Sequence, residues 1–298
     1  MDRRIRSVTT SEDEAAVNAS RHMRSYLSAC LFQDLHGLKR PPPWQLSPGK
    51  EHASPYHRSD KCAHHAYHYA YARYLAPLAE RFTRAGSRRH IKILEIGLGC
   101  GQSNVGAGVR MWNTLFANDE GRRLELHVLE FDARCARIWQ ARWAPNFQHI
   151  NLRIFTGDQS NVTTLMQVSA EGGGRLVPYD AIIDDGGHSM EQQQTSLAYL
   201  FELVAPGGWY AIEDLQTSFD PKLGGRASHR RDRLHPSQGD GTTTVELLAA
   251  IASWMSGDLG TVVGRSNGGA ALPMRNVLQL VEHVDCFTEI CVLSRYAA

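Results

Sequence analysis

The sequence predicts an α/β protein: a mostly parallel, Rossmann-like sheet with helices on both faces. Three observations carry that expectation. From residue 91 to residue 213, short apolar runs alternate with stretches of helical spacing, the pattern of parallel strands joined by helical crossovers. A glycine-rich turn directly follows the first of those runs. Two apolar runs near the C-terminal end, 277–281 and 290–293, stand close enough for a hairpin that adds an antiparallel edge.

In order, strands are expected at 91–96, 124–130, 152–155, 179–184 and 208–213, with helices at 102–116, 133–143, 162–168 and 189–204. Another helix is expected at 244–254, after a Gly-, Arg-, His- and Asp-rich stretch, 221–241, that reads as a mobile lid. Ahead of the sheet, Ser11 with Glu14 has the spacing of a capping box for a helix towards Phe32. Pro41, Pro42, Pro43 and Pro48 exclude helix, so 37–59 reads as a link. Ala63, Ala66, Tyr67, Ala70, Tyr71, Tyr74 and Leu78 then recur at helical spacing, with Pro77 disturbing the last turns. Residues 1–58 are therefore expected to be an N-terminal helical extension with a proline-rich link, and 59–298 the main domain.

Bulk composition excludes several classes of function. The formal net charge is +1 over 298 residues, so no global field favours nucleic acid or an anionic membrane. No apolar stretch is long enough to span a bilayer, and the N-terminus is charged rather than signal-like. Cys30, Cys62, Cys100, Cys135, Cys286 and Cys291 are scattered without a Cys-x-x-Cys pair. That scatter does not read as a disulfide framework and predicts a reducing, cytoplasmic setting.

The first strand ends Ile93-Leu94-Glu95-Ile96-Gly97-Leu98-Gly99-Cys100-Gly101. Open parallel sheets bind ligands at the carboxyl ends of their strands, and glycines let a ligand approach the main chain. A dinucleotide turn needs its third glycine at position 102, where Gln102 stands. The carboxylate of Glu95 suits an ammonium better than a pyrophosphate. Gly97, Gly99, Gly101 and Glu95 thus favour S-adenosylmethionine, with Glu130 placed for the ribose hydroxyls and Asp158 for the adenine amino group. Each acid alone reads equally as a helix cap, and Glu130 fits a dinucleotide enzyme too.

Two other strand ends are acidic. The fourth closes on Asp184-Asp185-Gly186-Gly187-His188 and the fifth on Glu213-Asp214. If those strands are neighbours, Asp185, Glu213 and Asp214 converge, and such carboxylates repel unless a cation joins them. Oxygen ligands of this kind suit magnesium. His188 sits just beyond, placed to take a proton from an acceptor hydroxyl.

These motifs, with Pro206-Gly207-Gly208 and the run from Ile212 to Phe219, resemble the macrolide sugar O-methyltransferases of the mycinamicin and tylosin type. The similarity runs from about Ser59 to Arg295. It implies a seven-stranded class I methyltransferase fold and magnesium-dependent methylation of a deoxysugar hydroxyl. It also implies Asp185, Glu213 and Asp214 as metal ligands, His188 as the base, and Gly157-Asp158-Gln159-Ser160 as the adenine-side motif. Ser59, Asp60 and Lys61, followed by His64, His65, Tyr67 and Tyr71, are similar to the family stretch that precedes the core. Ser59, Lys61, Tyr67 and Gln159 thereby join the cofactor-binding set. Ser59 replaces the family's Thr, and Gly187 stands where Ser is usual.

Residues 1–58 match no family segment, and relatives use this region for oligomerisation and for shaping the acceptor pocket. A homo-oligomer is one expectation, and only a small-molecule hydroxyl acceptor, not the macrolide sugar, is carried over. The alternatives are a metal-independent methyltransferase with a nitrogen or carbon acceptor and a non-catalytic cofactor-binding relative. His52, His57, His64, His65 and His68 read as a polar helix face rather than a second metal site. The arginines 226, 230, 231 and 233 read as part of the lid.

Overall fold

A computed structural model describes residues 61, 65, 67–84, 90–116, 124–147, 149–226, 242–258, 260–265 and 270–297. The expected N-terminal helix and proline-rich link, Ser59, His64 and most of the lid lie outside the described residues.

The first described helix, α1 (His68–Arg84), leads to β1 (Ile91–Ile96). Then follow α2 (Ala107–Leu115), β2 (Leu124–Glu130), α3 (Ala133–Trp143), β3 (Ile150–Thr156) and α4 (Val162–Glu171). The second half comprises β4 (Tyr179–Asp184), α5 (Met190–Leu200), β5 (Val204–Ile212) and α6 (Thr244–Met255). A small hairpin, β6 (Val263–Arg265) with β7 (Ala271–Pro273), precedes α7 (Arg275–Leu280), β8 (Val281–Phe287) and β9 (Ile290–Arg295).

The strands form a seven-stranded sheet in the order β3-β2-β1-β4-β5-β9-β8. β1 to β5 pair in parallel, and β9 runs antiparallel to both β5 and β8. All six residues of β1 are buried, as a strand covered on both faces requires. Alternation sorts its side chains. Ile91 and Ile93 pack with Trp112 of α2 and Tyr71 of α1, whereas Leu94 and Ile96 pack with Leu165 of α4 and Leu197 of α5. Glu95 shares parity with Ile93 and so faces the α1/α2 layer. The strand order reverses between β1 and β4, which opens a crevice at their carboxyl ends.

Local chemistry sets the element ends. Asp132 caps α3 by accepting from the amides of Arg134 and Cys135, and Ser189 with Gln192 and Thr243 with Glu246 close capping boxes on α5 and α6. The helix expected from residue 102 begins only at Ala107. Gly106 holds φ +74°, and a Cβ there would lie 2.1 Å from the Trp139 ring, so close packing prevents an earlier helical turn.

Two expectations are corrected. The apolar run at 277–281 was read as a strand, but its first four residues lie in α7 and the strand starts at Val281. Positions 277, 278, 280 and 281 also fit helical spacing, an ambiguity that a short run cannot resolve by itself. Among the described residues the cysteines are paired, Cys100 with Cys135 and Cys286 with Cys291. The first pair spans a sequence separation of 35 and the second, across the β8–β9 hairpin, a separation of 5; neither has a Cys-x-x-Cys signature, and the argument for a reducing compartment loses its basis. Among the described residues, no helix is long and apolar enough to cross a membrane.

Two outcomes are expected. The Cys100–Cys135 bridge closes a sequence separation of 35, so Cys135→Ser should cost about 2–4 kcal/mol in denaturant unfolding; an unchanged midpoint would contradict this. His127 is buried between the Tyr179 hydroxyl, 2.8 Å from Nδ1, and Glu125, 2.9 Å from Nε2. Burial, helped by the charge on Lys92, lowers its pKa from 6.5 to about 4. Between those values the unfolded chain binds a proton that the folded chain refuses, so stability falls as pH drops from 6.5 towards 4. Calorimetric melting of His127→Gln should show a shallower fall over that window.

Candidate functional site

The site is assembled where β1, β4 and β5 end. Gly97, Gly99 and Gly101 all take positive φ, +102°, +80° and +91°, which glycine adopts without strain. A Cβ on Gly97 would lie 2.1 Å from the Asp185 carbonyl oxygen, so its absence lets the ends of β1 and β4 touch. Cβ atoms on Gly99 and Gly101 would meet only the Gln102 side chain, at 3.9 Å, and nothing within 4 Å, respectively. The main chain there borders open space, as a cradle for a small ligand must.

Glu95 is buried and accepts from Trp112 Nε1 at 2.9 Å. Gly108 makes room for it, since a Cβ there would lie 2.4 Å from its carboxylate. Glu130 accepts from the amides of Leu98 and Asp132, at 2.9 and 2.8 Å. It therefore fixes the glycine turn from below, and a carboxylate's further acceptor sites remain for a ligand. Asp158 accepts from the Ser160 amide at 2.8 Å, forming a local turn at the end of β3.

Gln159 faces inward. Its Nε2 donates to Asp184 Oδ1 and Ser196 Oγ, both at 2.9 Å, and its Oε1 accepts from the Gly187 amide at 2.8 Å. This side chain positions the Gly186–Gly187 loop rather than bordering the cradle. Asp184, fully buried, also accepts from the Tyr210 hydroxyl at 3.1 Å. Burial raises its pKa to about 6, against the opposing pull of Gln159 and Ser196.

The acidic strand ends divide into two groups. Ligand atoms of Asp185, His188 and Asp214 lie within 4.8 Å of one another. His188 Nε2 is 3.3 Å from Asp214 Oδ2, and its Nδ1 is buried with no hydrogen-bond partner. Such an atom calls for a partner from outside the chain. His188 and Asp214 both take left-handed φ, +57° and +55°, a conformation that non-glycine residues hold at functional sites more than elsewhere. Tyr67 donates to Asp214 Oδ1 at 2.8 Å and Gln216 donates at 2.9 Å. Burial pushes the Asp214 carboxyl up, but His188 and these donors outweigh it and hold it below the usual range.

Glu213 belongs to the other group. Its Oε2 accepts from Lys61 Nζ at 2.5 Å, its Oε1 accepts from the Tyr71 hydroxyl, and Gln193 donates to its carbonyl at 2.9 Å. Lys61 Nζ also lies 2.7 Å from Asp185 Oδ2 and 3.9 Å from Glu95 Oε1. Burial opposes a charge on Lys61, but Asp185, Glu213, Tyr71 and Glu95 outweigh it and hold the ammonium protonated. Asp185, His188 and Asp214 are thus brought together, while Glu213 is tied to Lys61.

Sequence reasoning missed Trp112, Tyr71 and Glu289 as site residues. Trp112 lay inside an expected helix with nothing to mark it, and Tyr71 stood in the family stretch ahead of the core without a role. Glu289, in the β8–β9 turn at φ +62°, bonds His65 Nδ1 at 2.7 Å, and His65 stacks on Tyr67. No local pattern announces a turn residue from the far edge of the sheet.

No protein-family model matches the chain. Mycinamicin VI 2''-O-methyltransferase of Micromonospora griseorubida is 28% identical over 225 residues, covering 74% of this chain and 49% of that protein. Demethylmacrocin O-methyltransferase of Streptomyces fradiae is 29% identical over 199 residues, 66% of this chain and 44% of that one. L-olivosyl-oleandolide 3-O-methyltransferase of Streptomyces antibioticus is 32% identical over 175 residues, 58% and 38%. The chain spans about half or less of the length of the curated relatives it matches. Among solved structures, MycE methyltransferase from the mycinamycin biosynthetic pathway, in complex with Mg and SAH, superposes with a TM-score of 0.50. It is 23% identical, over 74% of this chain and 48% of that one. The fold is that of the class I methyltransferases, and the relatives of this chain are O-methyltransferases of macrolide and polyketide sugars.

Proposed function

We propose that this chain is an S-adenosylmethionine-dependent O-methyltransferase acting on a hydroxyl of a glycosylated small molecule, assisted by magnesium. The observation that carries the reading is the cluster of Asp185, His188 and Asp214 within 4.8 Å, at strand ends that adjoin the glycine cradle. The two carboxylates fit a divalent ion, and the partnerless Nδ1 leaves the His188 ring for the acceptor hydroxyl. The relatives' names, and the Mg and SAH of the MycE complex, point the same way.

In this reading, the main chain at Gly97, Gly99 and Gly101 receives the cofactor. Glu95 faces its ammonium, Glu130 the ribose, and Asp158 the adenine. Lys61 and Tyr67 act on the cofactor side by holding the acids beneath it. The cofactor, when bound, supplies an electrophilic methyl group. Asp185 and Asp214 would hold magnesium, which when bound stabilises negative charge developing on a hydroxyl oxygen. His188 removes the hydroxyl proton, and Asp214, 3.3 Å from Nε2, favours the protonated ring that results. Alignment of donor and acceptor supplies much of the remaining rate.

One observation favours the metal-independent alternative: Lys61 already neutralises Asp185 and Glu213. Transfer of labelled methyl from S-adenosylmethionine to glycosylated polyketides separates the two. EDTA should abolish turnover and magnesium restore it; turnover indifferent to EDTA would sink the metal role. His188→Ala should lower kcat about a hundredfold or more, while calorimetry shows S-adenosylhomocysteine binding unchanged. Full activity in that variant would remove His188 as the base.

A further inference from the structure

Lys61 lies on the segment ahead of α1, thirty residues before the first strand, yet it ends among acids from three strands. It is 3% exposed, and its ammonium contacts Glu213 at 2.5 Å and Asp185 at 2.7 Å, with Glu95 at 3.9 Å. Both carboxylate oxygens of Glu213 are occupied, one by Lys61 and the other by the Tyr71 hydroxyl. Gln193 pins the Glu213 backbone, and Gly97 pins Asp185 against β1. The acids therefore cannot spread apart to relieve their repulsion, and a cation must stand between them. Lys61 supplies that cation from within the chain. An ion at Asp185 and Asp214 would share the Asp185 carboxylate with it.

We propose that Lys61 is a tethered counter-cation that competes with the divalent ion for Asp185 and Glu213, and so sets metal affinity. While the ammonium is seated, the ion has Asp185 and Asp214. When it withdraws, Glu213 joins them. Lys61 is thus a positioning residue: it decides how many carboxylates face the metal. The inference rests on the functional reading above for the presence of a metal, and its test separates the two.

The probe is Mn2+ binding to the full chain, followed by the electron paramagnetic resonance of the free ion. The variants are Lys61→Met, Lys61→Arg and the double variant Lys61→Met/Glu213→Gln. Lys61→Met should bind Mn2+ about tenfold tighter than the parent or more, because a like charge within hydrogen-bond distance of the ligand set is gone. Lys61→Arg keeps the cation and should stay with the parent. The double variant should lose the gain, since the freed Glu213 supplies it. A merely structural lysine would weaken binding in Lys61→Met or leave it unchanged, and either result overturns the inference. Should Lys61→Met be unfolded by circular dichroism, recovery of the fold by micromolar Mn2+ is the same gain in another form. A variant still unfolded at millimolar Mn2+ contradicts it. A parent that binds no Mn2+ beside a Lys61→Met that does would uphold the inference and overturn the metal-dependent reading. If neither binds, both fall; if the parent binds and the variant gains nothing, only the inference falls.

Discussion

The site depends on one electrostatic constraint. β1, β4 and β5 are neighbours, and each ends in an acid: Glu95, Asp185 and the Glu213–Asp214 pair. Gly97 brings the first two ends into contact, so the carboxylates are crowded where little water reaches. Burial without a partner would drive them neutral. Each finds a partner, although burial, helped by Asp185, still holds the Glu213 carboxyl well above the usual range against the pull of Lys61 and Tyr71. Glu95 has the Trp112 indole, Glu213 has Lys61 and Tyr71, and Asp214 has Tyr67, Gln216 and His188. Half of these partners, Lys61, Tyr67 and Tyr71, come from α1 and the residues just before it. That segment therefore serves as a polar lid on the strand ends as well as an apolar cover for the sheet, where Tyr71 and Leu75 pack.

Beneath the acids a second set of side chains fixes the loop that carries His188. Gln159 bridges the end of β3 to Asp184, Ser196 and the Gly187 amide. A Cβ on Gly186 would lie 1.9 Å from Gln159 Oε1 and one on Gly187 2.1 Å from Gln192 Oε1, so two glycines are needed before His188. The left-handed backbone of His188 follows from this tight packing. A buried network that is fully satisfied on one side and leaves one ring nitrogen of His188 without a partner is arranged to present that ring to something outside the chain.

Much of this was legible in the sequence, for a physical reason. In an open parallel sheet the chemistry collects at strand ends, so Gly97, Gly99, Gly101, Glu95, Glu130, Asp185 and His188 announce themselves by where the apolar runs stop. The parallel core and the C-terminal hairpin followed from the same runs. What stayed hidden depends on long-range geometry. Lys61 gave no sign that it reaches Glu213 across a sequence separation of 152. Strand adjacency places Glu213 beside Asp185 but does not reveal that Lys61 contacts both. Gln159 matched a cofactor motif but turns inward. The cysteine pairs carried no spacing signature, and the α7–β8 boundary falls within an apolar run that fits both periods.

In the proposed function a divalent ion held by Asp185 and Asp214 stands beside a cofactor cradled at Gly97–Gly101. The most direct measurement is the nuclear magnetic resonance of S-adenosylmethionine carrying a labelled methyl, bound to the protein with Mn2+ in place of magnesium. The methyl resonance should broaden strongly with Mn2+ in the parent and stay sharp with magnesium or in Asp214→Asn. A bound cofactor whose methyl signal stays sharp at saturating Mn2+ would contradict the claim.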